Sequence, residues 1–153
     1  MFEKLINALL LRPFRAEMTL KKFFACLESE AADELLETLL KLMSLLFRVS
    51  KKYRENIGDF NGRYLFESAD GSITASAVFG GGRMKVKGRR IDNPDIAVIF
   101  KDAKALRGFI FSPKPDILGS MLRQDVVLEG NLNYIYKFAY MANHLKQRPG
   151  ELL

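Results

Sequence analysis

A reaction needs a nucleophile, a base or a metal held by convergent donors, and this chain is sparing with all three. Its one cysteine, Cys26, sits between Phe23-Phe24-Ala25 and Leu27. That setting suits a small buried hydrophobe rather than a thiolate, which needs an electropositive and partly exposed site. A lone cysteine also excludes an intrachain disulfide and a cysteine-based zinc cluster. His144 is the only histidine in the sequence. Without a second imidazole or a thiol beside it, no transition-metal site is expected, and a solvated or capping role near a helix end fits better. Glu28, Glu30, Asp33, Glu34 and Glu37 crowd one helical stretch, the pattern of a solvated face. Serines and threonines fall in strands or turns with no obvious base, so no hydrolase triad is expected. Gly80-Gly81-Gly82 could let backbone approach a phosphate, but no Gly-Lys-Ser/Thr follows and no helix starts there. The three glycines read as a hairpin turn. The expectation is a protein that is not an enzyme and needs no cofactor or metal.

Charge says more. The net charge is +6, and it is unevenly spread. Arg83, Lys85, Lys87, Arg89, Arg90, Lys101, Lys104 and Arg107 are opposed only by Asp92, Asp95 and Asp102. No aromatic platform is interleaved with the lysines, so nucleic acid is not the expected partner. Arg83, Lys85, Lys87, Arg89 and Arg90 are instead candidates for contact with an anionic membrane surface. At 153 residues the chain can bury a core of its own. No apolar run is long enough to span a bilayer. Met1–Leu11 is apolar, but Glu3 and Asn7 interrupt it, Arg12-Pro13-Phe14-Arg15 follows, and no small-x-small cleavage site is present. The expected location is cytoplasmic, with peripheral contact at the inner membrane face.

The elements that would carry these residues follow from period. Met1–Leu11 is a predicted helix ended by Pro13, and Thr19–Glu28 a second with Leu20, Phe23, Phe24 and Leu27 at helical spacing. Ala31–Tyr53 is the strongest helix. Leu35, Leu39, Leu42 and Leu46 form one stripe, and Leu36, Leu40, Met43 and Phe47 form another beside it. So wide an apolar arc fits a helix with two neighbours, or one that packs on a partner or a second copy. The period then falls to two. Gly62–Ser68 and Ile73–Phe79 alternate about an Asp70-Gly71 turn, and Arg83–Lys87 points Met84 and Val86 one way and its cations the other. Asp95–Lys101 is apolar throughout, as for a strand covered on both faces. Asp102 is a predicted N-cap for Ala103–Phe109. Pro113 and Pro115 bracket a turn, Asp116–Gln124 is a short helix, Val126 and Leu128 a last strand, Asn133–Leu145 a last helix, and the tail from Gln147 frays.

This arrangement leaves more apolar helix face than one sheet needs, with Phe109-Ile110-Phe111 at a helix end where polar residues are usual. From about Gly62 to Leu145 the chain resembles the sterol carrier protein (type 2) lipid-binding family. The resemblance lies in Asn93-Pro94-Asp95-Ile96 before an apolar strand, Lys101-Asp102 at a helix start, the apolar Ile117–Leu122 helix, and Val126-x-Leu128-x-Gly130-Asn131. Two features depart from the family: Gln124 stands where a glycine usually precedes the last strand, and the chain ends Glu151-Leu152-Leu153 rather than in a peroxisomal signal.

The resemblance implies an α+β fold, a five-stranded and largely antiparallel sheet covered by helices around an apolar tunnel, preceded by N-terminal helices. It implies a lipid-binding domain over 59–146. The segment before Asp59 has no counterpart in the minimal family domain, and the helical pattern alone gives an extension over 1–58, packed on the domain or on a partner, with a frayed tail over 147–153. The resemblance implies binding of a sterol, fatty acyl chain, phospholipid or isoprenoid quinone without catalysis. The expected tunnel lining is Phe79, Val98, Phe109, Ile117, Met121, Leu122, Leu128, Ile135, Phe138 and Met141. A second reading is an accessory subunit, of quinone or lipid biosynthesis, whose core is filled by its own side chains and whose N-terminal helices meet a partner or form a homodimer.

Overall fold

Period-two patterning builds the sheet, and the register of that sheet decides what can lie over it. The structure is a computed structural model that describes residues 32–111 and 116–147, together with Met18, Lys21 and Lys22. The expectations for Met1–Leu11, Cys26, the Pro113–Pro115 turn and the end of the tail fall outside these residues, as does most of Thr19–Glu28. Strands β1 (Gly62–Ser68), β2 (Thr74–Gly80) and β3 (Arg83–Lys87) form an antiparallel meander. Strand β4 (Ile96–Phe100) then crosses back to lie parallel to β1, and β5 (Val126–Gly130) closes the edge antiparallel to β4. The five-stranded order is β3-β2-β1-β4-β5. The α+β class and the mostly antiparallel sheet are as the sequence implied.

Cross-strand pairs share a face, so the register sorts the side chains. Tyr64 lies opposite Ala77 and Ile96, and Phe66 opposite Ala75 and Val98. With Phe79, Met84 and Phe100 they form the inner face, and all are buried. The outer face carries Arg63, Leu65 and Glu67 on β1 and Lys85 and Lys87 on β3. Leu65 is nevertheless buried. The 88–95 segment that links β3 to β4 crosses over it. Arg90 pairs with Glu67 at 2.8 Å, and the Arg63 guanidinium donates to the Asp92 carbonyl at 2.8 Å.

Among the described residues, five helices cover the inner face. The predicted Ala31–Tyr53 helix is two: α1 (Ala32–Val49) and α2 (Lys51–Arg54). Ser50 breaks it, with φ −108° and ψ 111°, and its hydroxyl accepts the Tyr53 amide at 3.2 Å. A serine hydroxyl can stand in for a helical carbonyl, and here that substitution turns the chain. Arg54 then folds back onto the freed carbonyls of Phe47 and Arg48 at 2.6 and 2.8 Å. Both apolar stripes of α1 are buried within the chain itself, against β2 and β3 and against the later helices. The wide arc thus has two neighbours of its own. Asp102 caps α3 (Ala103–Phe111) by accepting the Ala105 amide at 2.8 Å. Asp116 caps α4 (Ile117–Leu122) in the same way, and Asn131 caps α5 (Leu132–Gln147).

The two family-like motifs meet in space. The Asp95 carboxylate accepts the Arg63 amide at 2.8 Å, and its carbonyl accepts the Asn131 amide at 3.1 Å. Gly130 has φ 122°, and a Cβ there would overlap that same Asp95 carbonyl. Gln124, the departure from the family, has φ 62°. The Asp125 amide bonds the Ser120 carbonyl and the Gln124 amide bonds the Met121 carbonyl, which makes Gln124 the left-handed C′ residue of a Schellman cap. A glycine there would adopt this conformation without strain.

Two predictions follow from these turns. Gln124→Gly raises the stability of the protein by about 0.5–1 kcal/mol, read by chemical denaturation, because the left-handed strain is relieved in part against added chain entropy. In the β1–β2 turn the Asp70 carboxylate accepts the Ser68 hydroxyl at 2.6 Å and the Ser72 hydroxyl at 2.7 Å. These bonds, that from Ser68 first, hold its pKa at about 2, below the ordinary 3.8. A carboxylate held low stabilises the fold above its unfolded pKa, and this contribution is lost as pH falls from about 3.8 to about 2. Asp70→Asn therefore lacks that part of the acid-induced loss of stability, seen by comparing the two proteins across this range.

Candidate functional site

The layer between the sheet and the helices is where an apolar ligand would lie, and its lining can be placed residue by residue. Phe79 and Val98 rise from the inner face of the sheet, Ile135, Phe138 and Met141 descend from α5, and Phe109 and Ile117 enter from α3 and α4. All seven are buried in one hydrophobic cluster. Met121 and Leu128 are half-buried against it, and Leu122 is 76% exposed. The fold thus brings nine of the ten residues to one cluster and leaves Leu122 at its outside.

That cluster is occupied by rings. Phe47 stacks on Tyr53 with centroids 4.4 Å apart, and Phe66 meets Phe138 at 4.9 Å. Tyr64 lies within about 6 Å of Phe66, Phe79, Tyr134 and Phe138, contacts that leave no room for a chain between them. Its hydroxyl donates to the Tyr134 carbonyl at 2.7 Å, and the Tyr53 hydroxyl donates to the Met141 carbonyl at 3.0 Å. Burial pushes the pKa of both phenols up, so both remain protonated donors. His144 is half-buried beside Tyr53, its Nδ1 2.9 Å from the Asn56 amide nitrogen, rather than solvated. Among the described residues no group of histidine, cysteine and carboxylate side chains could hold a metal.

Space opens at the α3–α4 end. A cavity of about 480 Å³ is lined by the buried Phe109 and Ser120, by Ala105 and Gly108, and by a charged rim of Lys101, Asp102, Lys104, Asp116, Arg123 and Asp125. Arg123 holds Asp125 at 3.0 Å and Asp116 at 3.8 Å. Sequence reasoning found Phe109 and read Asp102 only as a cap; the rim was illegible because its charges come from three separate elements. Apolar side chains are also exposed on α4, where Leu118 and Leu122, on one side of the helix, are 62% and 76% exposed. Leu132 and Tyr136 on α5 are exposed as well, and so is Val127, which shares the outer sheet face with Glu67 through Ile99. The five cations of the basic run are exposed too, with Lys85 and Lys87 on the outer sheet face and Arg90 held by Glu67.

Solved structures share this arrangement. The SCP2 domain of UbiJ, a ubiquinone synthesis protein, superposes with a TM-score of 0.55 at 18% identity, over 69% of this chain and 86% of that one. The fold is that of sterol carrier protein 2. A second match lies within the stereoselective inverting sec-alkylsulfatase Pisa1 from Pseudomonas sp., with a TM-score of 0.54 and 13% identity over 68% of this chain and 16% of that one. No protein-family model and no curated protein sequence matches the chain. At such identities the SCP2 likeness concerns the path of the backbone. Among the described residues no helix is long and apolar enough to cross a membrane.

The two kinds of lining residue respond differently to change. Phe138→Ala, which empties a ring site in the SCP2-like core, costs about 3–5 kcal/mol. Leu122→Glu, at an exposed position, changes stability by less than about 0.5 kcal/mol. Urea unfolding of the two variants beside the parent measures both.

Proposed function

We propose that the chain binds a hydrophobic lipid, without catalysis, at the α3–α4 end of the layer between sheet and helices. The observation that carries this reading is the open apolar edge there. Leu118 and Leu122 stand exposed on one side of α4 while Ile117, on the other, is buried with Phe109 in the core. Soluble domains seldom leave such residues together unless something covers them. Covering them with hydrocarbon yields ~0.8 kcal/mol per methylene. The cavity beside them, about 480 Å³, lies in the range of small-molecule sites, and its charged rim suits a polar head above an apolar tail. Sterols, fatty acyl chains, phospholipids and isoprenoid quinones all have that form. The name of UbiJ ties one protein of this fold to ubiquinone synthesis, which places quinones among the ligands to try first.

A carrier must take its ligand from a bilayer. Arg83, Lys85, Lys87 and Arg89 are exposed and unopposed by any carboxylate among the described residues, while Arg90 is paired with Glu67. They supply a face for peripheral contact with anionic lipid at the inner membrane surface, at ~1 kcal/mol per cation. A second reading is favoured by the ring-filled interior: an accessory subunit with a solid core, whose partner or second copy covers Leu118, Leu122 and Leu132.

Mass spectrometry of protein purified under native conditions tests the first reading. It is expected to show bound lipid, or binding of added fatty acid or quinone, that is weakened in Leu122→Glu. Lipid-free protein that also ignores added fatty acid and quinone would sink it. Light scattering then decides for the second reading if the parent is oligomeric and Leu122→Glu is monomeric. For the membrane face, liposome binding is expected only with anionic lipid, falling as salt rises and falling further in a Lys85→Glu, Lys87→Glu double variant. Equal binding to neutral and anionic vesicles counts against it.

A further inference from the structure

Three arginines from separate parts of the sequence converge at the tip of the β2–β3 hairpin, far along the chain from the apolar edge. Arg48 lies in the last turn of α1, Arg54 ends α2, and Arg83 opens β3. Together with Phe47, Gly81 and Gly82 they line a hollow of about 460 Å³, which no acidic side chain among the described residues enters. No carboxylate of the described residues pairs with Arg48 or Arg83. Arg54 is fixed in place, its Nε on the Phe47 carbonyl at 2.6 Å and a terminal nitrogen on the Arg48 carbonyl at 2.8 Å. Those bonds spend two of the five N–H donors of a guanidinium. Like charges in one hollow repel, and an anion seated among them relieves the repulsion. Arginine rather than lysine is the side chain whose planar fork matches the oxygens of a phosphate group.

The backbone leaves the hollow open. Gly81 and Gly82 have φ of 59° and 71°, and a Cβ on either would meet nothing within 4 Å. The glycines are required by the left-handed turn, and they also keep the hairpin tip bare beside the arginines. The sequence argued against a phosphate loop here for want of a helix N-terminus. The fold supplies side-chain donors instead.

We propose that this hollow binds a phosphate-bearing anion, a phosphate monoester or a diphosphate, through Arg48, Arg54 and Arg83. The site does not rest on the lipid-binding cavity at the α3–α4 end, and it shares only Arg83 with the basic face proposed to meet anionic membrane. The phosphate could belong to a free phosphorylated compound or to the headgroup of an anionic lipid, and two measurements separate these sources.

The first is an NMR titration of the full chain with inorganic pyrophosphate. Saturable shifts are expected at the amides of Gly81, Gly82 and Arg83. Arg48→Gln and Arg83→Gln, which remove no internal bond, are each expected to weaken binding about tenfold or more, as for loss of a charged hydrogen bond. Lys41→Gln is the control. It removes the same charge from an exposed site on α1, paired with Glu37, outside the hollow. No saturable shift at the hairpin tip overturns the proposal, and so does a loss in Lys41→Gln equal to that in Arg83→Gln, which would mean diffuse attraction. The second measurement is cosedimentation with phosphatidylcholine vesicles containing phosphatidic acid. Binding that is lost in Arg83→Gln supports the site with a lipid headgroup as the source. Binding unchanged in Arg83→Gln, beside saturable pyrophosphate binding, supports it with a free phosphorylated compound.

Discussion

The structure depends on how β4 is inserted beside β1. A parallel neighbour cannot be reached by a tight turn, so the chain must cross the sheet and be held where it arrives. Asp95 does the holding. Its carboxylate takes the Arg63 amide of β1, its own amide donates to the Arg63 carbonyl, and its carbonyl takes the Asn131 amide beyond β5. One residue therefore ties three strands at one end of the sheet. Gly130 completes the tie because only a residue without a Cβ can lie against the Asp95 carbonyl. The motifs that resemble the sterol carrier family are thus joints of the fold, and their residue types are explained without any ligand.

With β4 and β5 fixed, the inner face of the sheet is wide enough to take α1 over β2 and β3 and to bring α5 over β4. The rings of Tyr53, Tyr64, Phe66, Phe79 and Phe138 then fill the layer between. Both tyrosines end on helix-α5 carbonyls, so each carries a polar atom into the core and has it satisfied there. These bonds set the height of α5 above the sheet more firmly than apolar contact alone would. Helix α1 belongs to this core as fully as the strands do.

Much of this was legible in the sequence, for reasons that are local. Alternation in Gly62–Ser68 and Arg83–Lys87 gave strands whose inner and outer residues are those observed, and Asp102 and the Gly81–Gly82 turn follow from short-range chemistry. The break at Ser50 is not legible, because apolar spacing continues past it from Leu46 through Val49 to Tyr53, and a serine hydroxyl competes for the backbone only when the tertiary fold rewards the turn. The ten expected lining residues combine the tunnel that the resemblance implies with the apolar faces that periodicity marks. Periodicity tells which way a side chain points but not whether the space beyond it is empty or holds Tyr64. The hollow of Arg48, Arg54 and Arg83 joins positions up to 35 residues apart, a juxtaposition that only the folded chain reveals.

A ring-filled layer and a lipid-binding role are physically compatible under one condition. To enter between sheet and α5, a ligand must displace rings such as Phe138, and vacating a ring site costs about 3–5 kcal/mol. Burial of hydrocarbon returns ~0.8 kcal/mol per methylene, so roughly five methylenes offset one displaced ring. On the proposed lipid reading, a short amphiphile would stay at the α3–α4 cavity beside Phe109, and only a long chain would repay deeper penetration. The element suited to yield is α4. It is one six-residue helix, capped by Asp116 at one end and by the left-handed Gln124 at the other, with Leu118 and Leu122 facing outward. Turning it inward would bury Leu118 and Leu122 but uncover Ile117, which is buried now, so the helix gains little apolar burial by turning and the hydrocarbon of the ligand itself must offset the cost of opening the layer.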